Sequence, residues 1–280
     1  MYNLKLFSEV SLGCSKLTTS SYSTSFSLGI KLLNKQLHDP IYAIYGFVRF
    51  ADEIVDTFHG HDKEYLLDKF EADTFEAIER GISLNPILHS YQLVVRKYNI
   101  DRELIQTFLN SMRMDLEQTE YSRQGFEEYI LGSAEVVGLM CLKVFVNGDQ
   151  EAYQSLKPAA MSLGSAFQKV NFLRDIKADL EDLGRTYFPG VDMSAFNHED
   201  KLRIEAEIEK DFISALEGIR QLPPGARRGV YIAYVYYKKL FDKIKSTPAD
   251  HLMKKRIRIH NGRKMTLMLD SLVRLSLNAY

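Results

Sequence analysis

Apolar residues recur every three or four positions along most of this chain. Leu104, Phe108, Leu109, Met112 and Leu116 are one such run, the signature of one face of an amphipathic helix. Sustained alternation with a period of two is scarce. The pattern predicts helices over 18–34, 39–58, 63–81, 84–98, 101–118, 124–146, 149–182, 198–220, 224–246 and 263–278. Prolines at 40, 86, 158, 189, 223, 224 and 248 are expected to punctuate them, because proline removes a backbone donor and ends helices. Gly184 to His198, with its Tyr-Phe-Pro-Gly, reads as a loop. There is no repeat, low-complexity tract or long linker, so 1–280 is expected to form a single all-α domain.

A helical domain of 280 residues can bury a large core and still enclose a ligand cavity. With 45% hydrophobic and 26% charged residues the composition is that of an ordinary globule, which argues against disorder. The net charge of -1 supplies no global field for nucleic acid, so any anion site must be local. Two cysteines, Cys14 and Cys141, cannot build a disulfide framework. They fit a reducing cytoplasm, and neither has a neighbouring His to act as a base. The N-terminal residues lack the apolar core of a signal peptide. The most apolar stretches, Gly229 to Tyr237 and Val136 to Leu142, are half the roughly 20 residues that a transmembrane helix needs. No transmembrane segment is expected, although the protein could lie against a membrane.

Two polar stripes interrupt the apolar pattern. Tyr45, Arg49, Asp52 and Asp56 follow at spacings of four, three and four, so an aromatic ring, a cation and two acids share one helix face. Ile44, Phe47, Val48, Ile54 and Val55 surround them and would seat that helix in a core. Gln168, Asn171, Asp175 and Asp179 repeat the arrangement at spacings of three, four and four. A lone pair of acids one turn apart is ordinarily a solvated face, and the second stripe alone could be a polar face or a buried amide network. Two such stripes, each with an Arg and an apolar flank, are hard to place on solvated surfaces. Oxygen ligands of this kind suit magnesium, which takes one or two carboxylates and completes its shell with water and phosphate.

These segments, YAIYGFVRFADEIVD and QKVNFLRDIKADLEDLGRTYFP, resemble the two aspartate-rich motifs of the phytoene and squalene synthases. Tyr22-Ser-Thr-Ser-Phe26, Met112-Arg-Met-Asp-Leu116 and Tyr129-Ile-Leu-Gly-Ser-Ala-Glu-Val-Val-Gly138 extend the resemblance over nearly the whole chain. The resemblance implies an isoprenoid synthase fold, a single helical bundle around a deep central cavity. It implies metal positions at Asp52, Asp56, Asn171, Asp175 and Asp179. Tyr22, Ser23, Thr24, Ser25, Tyr45, Arg49, Gln168 and Arg174 would contact substrate diphosphate, and Phe26 would border a prenyl chain. Arg185 and Tyr187 would be lid or phosphate contacts, Tyr237 would lie near the diphosphate, and Tyr129 near the reacting carbons. The family often carries a basic residue where this chain has Thr24, which removes direct charge pairing there.

The activity implied is the head-to-head joining of two isoprenoid diphosphates through a cyclopropyl diphosphate, with Mg2+, or Mn2+ in its place, as cofactor. Motif wording and the lack of a recognisable C-terminal anchor favour phytoene synthesis from two geranylgeranyl diphosphates. The alternatives are squalene or dehydrosqualene synthesis from farnesyl diphosphate, with NADPH only for squalene, and an inactive assembly factor. Substrate length is not readable from these residues. A cytoplasmic protein, with peripheral membrane contact for product release and no nucleic-acid partner, is expected. His59-Gly-His61-Asp62 lacks further ligands and reads as a helix-end turn. Lys254, Lys255, Arg256, Arg258, Arg263 and Lys264 form a basic cluster that fits a solvated face, a phosphate grip or a membrane surface.

Overall fold

The computed structural model describes residues 2–117, 120–182, 185–192, 195–254 and 256–258, and of residues 2, 178, 179, 181 and 182 the backbone alone. The helix expected over 263–278, Gly184, Lys255, Arg263, Lys264 and the side chain of Asp179 lie outside the described residues.

The elements are α1 (Tyr2–Tyr22), α2 (Thr24–Lys31), α3 (Lys35–Asp56), α4 (Lys63–Arg80), α5 (Pro86–Tyr98), α6 (Arg102–Glu117), α7 (Arg123–Ile130), a π turn (Leu131–Glu135), α8 (Val136–Phe145), α9 (Gln150–Asp182), α10 (His198–Gln221), α11 (Pro224–Lys245) and α12 (Ala249–Leu252). Among the described residues the only β pairing is an isolated bridge between Glu120 and Thr186. Helix starts follow local chemistry. Asn85, Asp62, Ser122 and Asn197 each accept backbone amides as N-caps, and Gly81 closes α4 in the left-handed region at φ 71°.

Three expectations are corrected. The first helix is not 18–34. Two helices occupy that region, and the break comes at Ser23, whose extended backbone and hydroxyl cap α2 by accepting the Phe26 amide. Pro40 and Pro158 lie inside α3 and α9 rather than between helices; one missing amide bond is tolerated where a long helix is held by packing on both sides. The helix over 124–146 is interrupted by the π turn, in which the Val136 amide reaches back five residues to the Leu131 carbonyl. Glycines permit that turn. A Cβ on Gly132 would stand 2.7 Å from the Thr107 carbonyl, and one on Gly164 would stand 2.6 Å from the Ala134 carbonyl.

Two groups of buried side chains form the interior. One gathers around Phe47, Tyr91 and Phe108, with Phe47 and Tyr91 stacked at 3.9 Å. The other gathers around Phe172, Phe212 and Phe241. Between them lies a cavity of about 310 Å³, lined by Ile30, Leu33 and Ile44 from the first group and by Leu142, Leu156 and Ile219 from the second.

Candidate active site

The cavity changes character from mouth to floor. Tyr45, Gln168, Asn171 and Tyr237 supply most of its polar lining, from α3, α9 and α11. The deep part is walled by apolar residues of α8, α9, α10 and α11, such as Phe145, Leu156, Ala160 and Ala215. Members of both polar stripes therefore face one space. Phe26 lines it too, tilted against Tyr45 at 5.6 Å between ring centres. The Tyr237 hydroxyl donates to the Asn171 side-chain oxygen Oδ1 at 3.3 Å, and its ring stacks on Phe167 at 3.9 Å. Burial pushes the Tyr45 phenol up to about 12, against the pull of Arg49 and a hydrogen bond with Ser23. Both tyrosines enter the site as neutral donors.

The first stripe is held by guanidinium groups. Arg49 pairs with Asp52 and with Glu53 and lies 4.4 Å over the ring of Tyr22. Arg185, reaching in from the segment after α9, donates to Asp56 at 2.9 Å and to the Asp115 backbone carbonyl at 2.8 Å. It also pairs with the Asp115 carboxylate at 3.3 Å and contacts the Tyr187 hydroxyl at 3.4 Å. On the second stripe, Asp175 is gripped by Arg174 at 2.5 Å and by Arg256 at 2.6 Å. Ser23 serves as the α2 cap, while Thr24 and Ser25 occupy its first turn.

Asp115 is the site residue that stripe reasoning missed. It was visible only within Met112-Arg-Met-Asp-Leu116, where its register gives no hint of the partners it meets. Tyr129 donates to it at 2.8 Å and Tyr121 at 3.5 Å. Around this carboxyl, Tyr187 stacks on Phe172 at 3.9 Å and Tyr129 packs against both. Burial raises Asp115 to about 7, with Asp56 and Asp52 adding to the rise while Arg185 and the Tyr129 hydroxyl oppose it. Burial and Asp56 lift Asp52 to about 6 against Arg49 and Arg185. Arg256 was also missed as an individual, hidden in a basic run in which it, Lys254 and Arg258 are all exposed. The thiol of Cys141 lines the cavity, and burial moves it to about 12, so it is a weak nucleophile. His59 and His61 are exposed.

The raised Asp115 has a consequence for stability. Between its ordinary value near 4 and about 7 the folded state binds more protons than the unfolded one, so wild-type stability falls as pH rises through that window. Asp115→Asn removes this dependence and leaves Arg185 with Asp56 and the backbone carbonyl. Thermal denaturation at about pH 5 and about pH 8 should show the variant gaining on the order of 1 kcal/mol or more relative to wild type at the higher pH. Parallel pH curves would contradict the assignment.

Among the described residues, no three His, Cys, Asp or Glu side chains gather into a group that could hold a metal ion by themselves. The donor set fits magnesium of the open kind, in which one or two carboxylates hold the ion and phosphate oxygens complete its shell. Three crowded acids with raised proton affinities at Asp52 and Asp115 form the kind of environment a divalent cation relieves.

The squalene/phytoene synthase family profile matches residues 19–263, which take in every metal and substrate position that the motif resemblance implies. Phytoene synthase 1 of the Solanum lycopersicum chloroplast is 28% identical over 277 residues, covering 90% of this chain and 65% of the tomato protein. The chain thus spans just under two thirds of that relative. Phytoene synthase of Arthrospira platensis is 28% identical over 261 residues, 83% of either chain. The crystal structure of a dehydrosqualene synthase with a ligand superimposes with a TM-score of 0.81 at 20% identity, covering 96% of this chain and 98% of that one. That likeness shows the all-helical isoprenoid synthase fold. The profile match over most of the chain places the protein in the squalene/phytoene synthase family, whose members are prenyltransferases.

Proposed function

We propose that this protein joins two geranylgeranyl diphosphates head to head, giving phytoene by way of a cyclopropyl diphosphate. The observation that carries the reading is one cavity whose mouth is polar, beside carboxylates paired to arginines, and whose depth is aliphatic. An allylic diphosphate needs help to leave and a dry place for its tail, and this polarity gradient offers both. Magnesium, held by Asp52 and Asp56 and by Asn171, Asp175 and Asp179, would supply Lewis-acid neutralisation of the departing diphosphate.

The chain's own residues carry the rest. Arg49, Arg174 and Arg185 stand beside these acids and can exchange a carboxylate for a phosphate oxygen, since guanidinium recognises both with the same fork geometry. Gln168, Tyr45 and Tyr237 orient the head group at the mouth. The first diphosphate leaves, C1 of that chain bonds to the double bond of the second, and a proton is lost as the cyclopropane closes. The second diphosphate then leaves, the ring opens to join the two C1 carbons, and a second proton is lost to give the triene. Asp115, at about 7 and joined to Tyr129, is suited to hold such a proton near neutrality. Aromatic rings that line the cavity, Phe26, Tyr45 and Phe167 among them, can steady the cation meanwhile.

The phytoene synthase names of the curated relatives support geranylgeranyl over farnesyl diphosphate. The test is incubation of the purified protein with either diphosphate and magnesium, with and without NADPH, followed by identification of the hydrocarbon. A C40 triene without NADPH is expected. Exclusive use of farnesyl diphosphate would move the assignment to dehydrosqualene synthesis, or to squalene synthesis if NADPH is required, and no turnover of either would leave the assembly-factor reading.

A further inference from the structure

The acids of the two polar stripes are balanced differently. Asp52 pairs with Arg49, and Asp56 with Arg185. Asp175 is held by two guanidinium groups at once. Arg174, its neighbour on α9, reaches both carboxylate oxygens, the shortest approach being 2.5 Å. Arg256 closes a second fork on the same two oxygens, Nε to Oδ1 at 2.6 Å and Nη2 to Oδ2 at 3.2 Å. A carboxylate has about four lone-pair sites, and two forks occupy the directions from which a metal ion would approach. Two cations on one anion also leave the spot net positive, which repels a bare divalent ion.

Of the two arginines, Arg256 is the one placed to let go. Its side chain is 46% exposed, against 20% for Arg174, and it comes from the segment after α12, 81 residues from Asp175 in sequence. The backbone beside it is pinned. Ile257 is buried in the apolar group around Phe172, Phe212 and Phe241, and the Arg258 carbonyl accepts a hydrogen bond from Lys243 at 2.6 Å. The guanidinium can therefore swing on its own side-chain bonds while the chain stays in place. Lys254 turns to Asp250 at 3.0 Å and Arg258 is exposed, so the grip on Asp175 is particular to Arg256 and not a general property of the basic run. A divalent ion that arrives already bound to a diphosphate is net negative, and the positive spot that repels the bare ion attracts this complex.

We propose that Arg256 is a latch on the second acid stripe, closing the Asp175 carboxylate to bare metal so that metal is admitted there only together with diphosphate. This deepens the condensation reading and rests on its magnesium assignment. The test uses Mn2+ as the metal and inorganic pyrophosphate as the anion, with free Mn2+ read from its electron paramagnetic resonance signal at fixed ionic strength. Without pyrophosphate, Arg256→Gln should bind Mn2+ at least about tenfold more tightly than wild type, the scale of one competing charge removed from beside the ion. Arg256→Lys, which keeps the charge but not the fork, should fall between them. Arg258→Gln removes the same charge two residues on and should match wild type, and adding Asp175→Asn to Arg256→Gln should abolish the gain. With pyrophosphate present, the advantage of Arg256→Gln should vanish or reverse. The latch is overturned by the absence of a gain, by equal gains in Arg256→Gln and Arg258→Gln, by a gain that survives Asp175→Asn, or by an advantage that pyrophosphate leaves undiminished. In each of these cases, binding of Mn2+ with pyrophosphate leaves the magnesium assignment standing. Failure of every protein to bind Mn2+ even with pyrophosphate overturns both.

Discussion

Replacing Asp52, Asp56 or Asp175 by alanine is expected to lower prenyl diphosphate turnover by at least about 10²–10³-fold, the scale seen when one fixed electrostatic contact to a developing charge is removed. The loss should be kinetic rather than structural. Asp52 and Asp56 each leave about a third of the side chain exposed, and Asp52 already carries a raised proton affinity from burial and from its neighbour Asp56. Deleting either relieves like-charge crowding, and the arginines keep other partners: Arg49 retains Glu53, and Arg185 retains Asp115. Asp175 is different, because Arg174 and Arg256 both converge on it. Asp175→Ala leaves two cations facing one another, so it should be the least stable of the three as well as inactive. Diphosphate release across a magnesium titration, with the thermal midpoint recorded for each variant, separates these effects. Wild-type-like turnover in Asp52→Ala or Asp175→Ala would remove the acids from the chemistry.

The stripes were legible because an α-helix turns a sequence spacing of three or four into a shared direction. Asp52 and Asp56, or Gln168 and Asn171, share one face on spacing alone. The all-helical class followed for the same reason, and so did the burial of Ile44, Phe47, Ile54 and Val55 around the first stripe. The N-terminal helix escaped because its pattern is inverted. Ser11, Ser15 and Thr19 are buried against α3 and α5, with Ser15 and Ser90 hydrogen-bonded at 2.6 Å. Leu6, Val10 and Leu17 point outward. Hydroxyls satisfied by their own helix can pack like small apolar groups, so hydrophobic periodicity marks the wrong face. A Cβ on Gly46 would stand 2.9 Å from the Ser15 hydroxyl oxygen, a closeness that larger side chains would not permit.

Asp115 and Arg256 were illegible for a second reason. Each acquires its role from a partner distant in sequence: Asp115 from Arg185 and Arg256 from Asp175. No local spacing encodes such meetings. The π turn compounds this, since one extra residue in a helical turn rotates everything after it relative to a 3.6-residue expectation.

The length of the accepted chain should be set by the depth of the cavity, and Ala160→Phe is expected to shorten it. Asn171 lies at the polar mouth, and Ala160, eleven residues earlier on the same helix, lines the aliphatic depth. At 1.5 Å per residue the two are roughly 17 Å apart along the axis. With carbon–carbon bonds of about 1.5 Å, an extended farnesyl tail spans roughly 14 Å and a geranylgeranyl tail roughly 19 Å. A phenyl ring at Ala160 therefore meets the fourth isoprene unit and spares the third. Each buried methylene contributes about 0.8 kcal/mol, so excluding the five-carbon unit removes roughly 4 kcal/mol of binding, or about 10³-fold. The variant should lose geranylgeranyl turnover by that order and retain or gain turnover of farnesyl diphosphate, giving a C30 hydrocarbon. The opposite wall bears on whether the ring fits. The Ala160 carbonyl abuts Gly138, where a Cβ would stand only 2.9 Å away, so the added side chain must turn into the open cavity rather than into that seam. Measuring kcat/KM for both diphosphates decides the matter: equal losses on the two substrates would mean that Ala160→Phe disturbs packing and that the chain end is read elsewhere.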